Sequence, residues 1–243
     1  MKTRFLFLTF NLIRIIVSGQ TDMQQYLYET NNLVKEGKYA VALERHIWFH
    51  DHVLEHDGSM VGVRVSFALA YWKGLGDKYP PAMVALKKLR DDDAQKLLDK
   101  KGDVEIFREV THINEYMSDN LNTNNLFTKI VALQPDLAAV CFKIAKKSLF
   151  KEKNYELLFK YLSNPIADYY QIESDYKTET LRNQDPDFIK YNMKPFTDDQ
   201  FVQKCLRLLD FTIAKFDLQT SQKIQSLALN TFKDERLINA VQK

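Results

Sequence analysis

The sequence predicts an all-α protein built from antiparallel helix hairpins, and three observations carry that prediction. Apolar residues recur at helical spacing through almost every segment after residue 22. The breaks between those segments are short and hold helix-stopping residues, and no stretch alternates apolar and polar residues up to a hairpin turn. Only 7 glycines and 6 prolines stand in 243 residues, too few for the turn-dense sandwiches and barrels.

Taken in order, the pattern predicts helices at 22–35, 39–56, 60–75, 80–100, 103–119, 123–133, 136–151, 154–162, 165–183, 197–216, 218–232 and 234–241. Glu36-Gly37-Lys38 separates the first two, and Asp57-Gly58-Ser59 ends the second. Tyr79-Pro80-Pro81, Lys101-Gly102-Asp103, Gln134-Pro135-Asp136 and Asn164-Pro165 punctuate the middle of the chain, with proline where a first helical turn tolerates it. Residues 184–197 look different. Asn183-Gln184-Asp185-Pro186-Asp187 and Lys194-Pro195-Phe196-Thr197-Asp198 bracket the short aromatic piece Phe188-Ile189-Lys190-Tyr191. The segment reads as a linker between a helical array over 20–183 and a helical cap over 198–243, with Thr197 or Asp198 as the next N-cap.

Two stretches echo each other. Lys35-Glu36-Gly37-Lys38-Tyr39 and Lys151-Glu152-Lys153-Asn154-Tyr155 carry their tyrosines 116 positions apart, near a multiple of the about 34-residue helix-pair period. Gly37, Tyr39 and Ala42 match the turn glycine, wedge tyrosine and small crossing residue of the tetratricopeptide repeat, and Phe107, Val110, Phe127, Ile130 and Pro135 fit a second unit at about 104–137. The fold is therefore expected to be a tetratricopeptide-like α-solenoid; the competing arrangement is a generic helical bundle, which shares the hairpins but not the register.

Composition narrows the function classes. With 34 basic and 32 acidic residues the net charge is +2, which gives no electrostatic case for nucleic-acid binding. Lys2 and Arg4, an apolar run from Phe5 to Ile13, and small residues at Val17 and Gly19 fit a secretory signal peptide over 1–19, and hence a secreted or periplasmic protein. That run is too short for a stable membrane span. Asn11 within it and Arg14 directly after it oppose insertion, and the alternative is a cytoplasmic protein whose translation starts at Met23. Cys141 and Cys205 lie inside separate apolar helical runs and read as two buried thiols, with no C-x-x-C pair for redox or zinc chemistry.

One dense constellation stands out, Arg45-His46-Ile47-Trp48-Phe49-His50-Asp51-His52-Val53-Leu54-Glu55-His56, which holds four of the five histidines. At about 100° per residue, His46 and His50 share one face while His52 and His56 lie about 240–280° round the helix, so one ion cannot meet all four. His46 and His50 fall among Ala42, Leu43, Ile47, Phe49, Val53 and Leu54, the core side. They are spaced as a zinc pair would be, but a third ligand is needed, the HExxH glutamate is absent and His112 is the one histidine left over. The plainer reading is a pair of hydrogen-bonded core imidazoles. Trp48 falls on the polar arc, where it is expected to pack on the next hairpin. Arg64, in the apolar run Val61-Gly62-Val63-Arg64-Val65-Ser66-Phe67, must find a carboxylate or carbonyls if buried, and a structural ion pair is the plainer reading than an anion site. With Tyr71 and Trp72, these residues make a candidate binding site of His46, Trp48, His50, Arg64, Tyr71 and Trp72. Asp91-Asp92-Asp93 reads as a solvated helix turn, and Lys143, Lys147 and Lys151 as a wet helix face. There is no GxSxG, Walker loop, dinucleotide fingerprint or EF-hand loop, so no cofactor is expected and catalysis has no positive sign.

Glu36-Gly37-Lys38-Tyr39, Ala42 through His50, Gly62 through Leu69 and Tyr79-Pro80-Pro81-Ala82 together resemble an uncharacterised bacterial family of tetratricopeptide-like helical proteins, most closely over 30–95. The resemblance implies the fold and a bacterial origin, and some members look exported; it brings no activity or catalytic residues. The expected function is a non-enzymatic module that binds a protein or peptide. The rival is a small-molecule or metal site, with hydrolysis as one form of it, around His46, His50 and Arg64.

Overall fold

The computed structural model describes residues 22–241, so the signal-peptide reading of 1–19 lies outside the described residues. Among these the regular structure is helical throughout, with no strand. The chain divides into two compact units, one ending at Tyr79 and one beginning at Pro80. This division differs from the expected boundary at 184–197, which falls inside the second unit.

The first unit holds α1 (Met23–Lys35), α2 (Tyr39–His56), a 3-10 turn at Gly58–Met60, α3 (Val61–Arg64) and α4 (Phe67–Gly76). Asp22 caps α1, accepting from the backbone N–H of Gln24 at 2.8 Å. Met23, Leu27, Phe49, Val53, Met60 and Ala68 form its core. Arg45 brackets α1 to α2: its Nε donates to Thr30 Oγ1 at 3.0 Å, its Nη2 to the Tyr26 carbonyl at 3.1 Å, and its guanidinium lies 3.9 Å from the Tyr26 ring centre. The helix expected over 60–75 is broken at Val65-Ser66. There the Ser66 hydroxyl donates to the Gly62 carbonyl at 2.6 Å, while its backbone N–H turns to Val63 instead. A serine hydroxyl competing for the i−4 carbonyl is a known disruptor of helices.

The second unit runs through α5 (Pro80–Leu98), α6 (Val104–Tyr116), α7 (Asn120–Leu133), α8 (Pro135–Lys151), α9 (Tyr155–Tyr161), α10 (Pro165–Arg182), α11 (Pro186–Ile189), α12 (Lys194–Lys215), α13 (Leu218–Thr231) and α14 (Glu235–Ile238). Phe107, Val110, Phe127 and Ile130 are fully buried in its core, together with Cys141 and Cys205. Both thiols are free, and burial pushes each up to about 12. Tyr169 is fully buried on α10 and donates its hydroxyl to the Leu227 carbonyl of α13 at 2.9 Å. The helix after the expected linker starts at Lys194, with Pro195 in its first turn, and not at a Thr197 or Asp198 cap.

Four reversals share one geometry. Gly37, Lys100, Ser118 and Lys153 have φ of 77°, 61°, 57° and 52°, each just past the end of a helix. In each, the next residue's N–H reaches back five residues: Lys38 to Leu33 at 2.9 Å, Lys101 to Lys96 at 2.9 Å, Asp119 to Asn114 at 2.8 Å and Asn154 to Leu149 at 2.9 Å. This is the Schellman cap, which closes a helix within a residue or two of its end. The helices it joins, α1 with α2, α5 with α6, α6 with α7 and α8 with α9, pack on each other. Gly37 and Lys153, aligned by the sequence echo, occupy the same left-handed position. Gly102 does not: Lys100 takes the left-handed turn, and a Cβ at Gly102 would come 2.9 Å from Leu97 Cδ2. Asp93 also departs from the solvated-turn reading, being buried with its carboxylate 2.7 Å from Lys96.

Nothing lies within 4 Å of a Cβ built at Gly37, so its left-handed backbone alone sets the cost of a side chain there. Gly37→Ala is expected to lose about 1–2 kcal/mol, and Lys153→Gly to gain about 0.5–1 kcal/mol, read as opposite shifts in urea midpoint. A neutral Gly37→Ala would show that the turn does not need its left-handed residue.

Candidate functional site

The spacing of His46 and His50 does place both on the buried face of α2, beside Ala42, Phe49 and Val53. Ile47 and Leu54, expected on that face, are exposed instead. Trp72 of α4 is buried against both imidazoles, with ring centres 6.1 Å from each, nearly parallel to His46 and edge-on to His50. Arg64, half-buried at the end of α3, donates from Nε to the backbone carbonyl of His50 at 2.8 Å. His46, His50, Arg64 and Trp72 therefore do come together, through backbone and ring contacts. The other two candidates lie apart. Trp48 is half-buried against Tyr26 of α1 at 4.9 Å, with His52 and His56 at 5.4 and 5.3 Å, so it packs within its own hairpin and not on the next one. Tyr71 is exposed, beside Tyr28, Val63 and Phe67 around a shallow hollow of about 320 Å³ between α1 and α3–α4.

Burial holds the His46 imidazolium well below its usual range, down to about 4, and its Nε2 is enclosed with no hydrogen-bond partner. His50 Nδ1 lies 3.1 Å from Asp51 Oδ1. His112 stands half-buried on α6 in the second unit, its pKa also lowered, mainly by burial. Among the described residues no three His, Cys, Asp or Glu side chains converge as a metal centre requires.

The larger concavity is elsewhere, in the second unit, where α10, α11 and the start of α12 enclose about 470 Å³. Asn164 caps α10, accepting from Ala167 N–H at 3.0 Å, and α10 stops at Arg182. Asp185 then caps the one-turn α11, and Asn192, with φ 47°, turns the chain into α12. Two side-chain bonds fix α10 against α12: Tyr176 donates to Asp198 Oδ1 at 2.8 Å, and Asn183 Nδ2 donates to Thr197 Oγ1 at 2.8 Å. Burial, and then the bond to Asp198, raise the Tyr176 phenol, so it stays neutral as a donor.

Ile172, Tyr176 and buried Phe201 form the deep lining of this groove, with the Tyr176 and Phe201 rings 4.6 Å apart. Phe188, Met193, Tyr191 and Phe196 line its open side, the last two 60% and 57% exposed. Such a cluster of exposed rings is what soluble surfaces ordinarily keep for contact with something else. Polar groups stand among them: Asp175, Glu179, Gln200 and Lys204. Sequence reading took this segment for a connection. Its signal was there, five apolar residues from Phe188 to Phe196 in a short piece bounded by Pro186 and Pro195, with no long helix of its own to bury them.

Comparison with protein-family models, curated proteins and solved structures gives no significant match to this chain.

The buried imidazole gives a pH prediction. His46 titrates near 6.5 when unfolded and at about 4 when folded. Its neutral form is thus favoured by folding, and stability falls as pH drops from 6.5 towards 4, by about 3 kcal/mol. His46→Phe keeps a ring against Trp72 and should flatten that part of the pH–stability profile in urea melts. An unchanged difference between pH 7 and pH 4 in the variant would refute the assignment.

Proposed function

We propose that this protein is a non-enzymatic interaction module that holds a protein or peptide segment, on helical hairpins arranged as in tetratricopeptide repeats. In favour of that arrangement, each helix from α5 to α8 packs on its successor, and α5 with α7 and α6 with α8 also pack, a neighbour-and-next-neighbour pattern. The shared caps at Gly37 and Lys153 add a structural repeat to the sequence echo. On the N-terminal pattern we read the module as exported.

The observation that carries the function is the aromatic groove between α10 and α12. It is an open trough whose exposed surface is mainly apolar, the form that receives the apolar face of a peptide. Each exposed ring completed by a partner would contribute about 1–2 kcal/mol before the cost of ordering the complex. His46, His50 and Trp72, by contrast, have their side chains in the interior.

Selection of displayed random peptides against the full chain tests this. Peptides that enrich should bind the triple variant Phe188→Ser, Tyr191→Ser, Phe196→Ser at least about tenfold more weakly, with helical content unchanged by circular dichroism. Failure of any peptide to enrich, or binding that survives the triple change, would count against the groove.

A further inference from the structure

We propose that the α10–α12 groove receives a second copy of this chain, the α11 turn of each protomer lying in the trough of the other about a two-fold axis. This rests on the groove being a peptide site and names the segment that fills it. A two-fold contact brings one surface against itself, so the receiving shape and the inserted shape must lie within a single patch. Here they do. Phe188, Tyr191 and Phe196 line the trough, while Ile189 and Leu181 flank it without lining it, 62% and 68% exposed. Every residue from 184 to 196 is exposed, so α11 forms a ridge at the surface beside the hollow it borders.

The amount of uncovered apolar surface fits such a contact. Leu181, Phe188, Ile189, Tyr191, Met193 and Phe196 are each between 36% and 68% exposed. At about 150–250 Å² for a side chain of this size, they leave roughly 600 Å² in water, the upper end of what a monomer keeps as one open patch. Two copies together would cover about 1,200 Å², which is what a stable and specific interface needs at the least. The charges permit it as well. A surface of one sign repels itself across a two-fold axis, and this one is balanced, with Asp175 3.8 Å from Lys204 and Glu179 4.0 Å from Arg182. Folding has already ordered the inserted segment. Asp185 accepts from Asp187 N–H at 2.9 Å, and the Arg182 guanidinium lies 4.6 Å from the Phe188 ring centre. A free peptide must be ordered as it binds; the α11 turn of a second copy need not be.

Sedimentation equilibrium of the full chain tests this. The wild type should dimerise with a dissociation constant on the order of 1–100 μM, as suits an interface of the smallest stable size. Ile189→Asp places a charge on the ridge and leaves the trough lining untouched. It should weaken the dimer at least about tenfold, while peptides selected against the trough bind it as they bind the wild type. The triple serine variant should lose both the dimer and the peptides. Circular dichroism should show unchanged helical content in either variant. A wild type that stays monomeric while peptides still enrich would overturn the second copy and leave the peptide groove standing, its occupant then being another chain. A monomer for which no peptide enriches would overturn both. A dimer that survives either variant would overturn the proposal, since the copies would then meet through another surface.

Discussion

The rest of the structure depends on how abruptly its helices are ended. When the residue past a helix takes the left-handed conformation, the chain leaves sideways and the next helix begins within a few residues. No slack remains for a long excursion, and successive helices must share an apolar flank. Gly37, Lys100, Ser118 and Lys153 do this at four turns, and only one of them is the residue type that adopts the conformation freely. Hydrogen bonds back into the preceding helix and the burial of Phe107, Phe127 and their neighbours hold the other three in place.

The groove appears where that device is missing. After α10 the chain passes through a one-turn helix and an irregular stretch before α12 begins. A single turn has no second face to bury, so Phe188, Tyr191, Met193 and Phe196 are gathered on one side of the gap without being covered. The walls are nevertheless firm. Tyr176 and Asn183 tie α10 to α12, while Tyr169, whose hydroxyl also lies 2.8 Å from Thr231, ties α10 to α13. An apolar surface held open on a fixed frame loses little conformational freedom when something fills it.

Much of this was legible in the residues. Helix limits followed from Pro at first turns, as at Pro80, Pro135 and Pro165, and from the glycine at 37, because each acts through its own backbone. The helical wheel of α2 put His46 and His50 inside correctly, since periodicity reports which face is buried. What escaped depended on partners distant in sequence. Ser66 breaks a helix through a bond of its own hydroxyl that composition does not reveal, and the role of Gly102 is set by the position of Leu97. Trp48 finds Tyr26, and Asp93 is buried beside Lys96, through packing that a single-helix wheel does not contain. The groove escaped because the exposure of Phe188, Tyr191 and Phe196 is set by how α10, α11 and α12 meet, which the residues 186–196 do not contain.

The two sealed thiols bear on where such a molecule can work. At ordinary pH almost no thiolate exists at Cys141 or Cys205, and neither sulfur is exposed to a disulfide donor. Once folded, the chain therefore neither gains a disulfide between them in an oxidising milieu nor loses one in a reducing milieu. Its two cysteines therefore place no demand on the compartment in which it works.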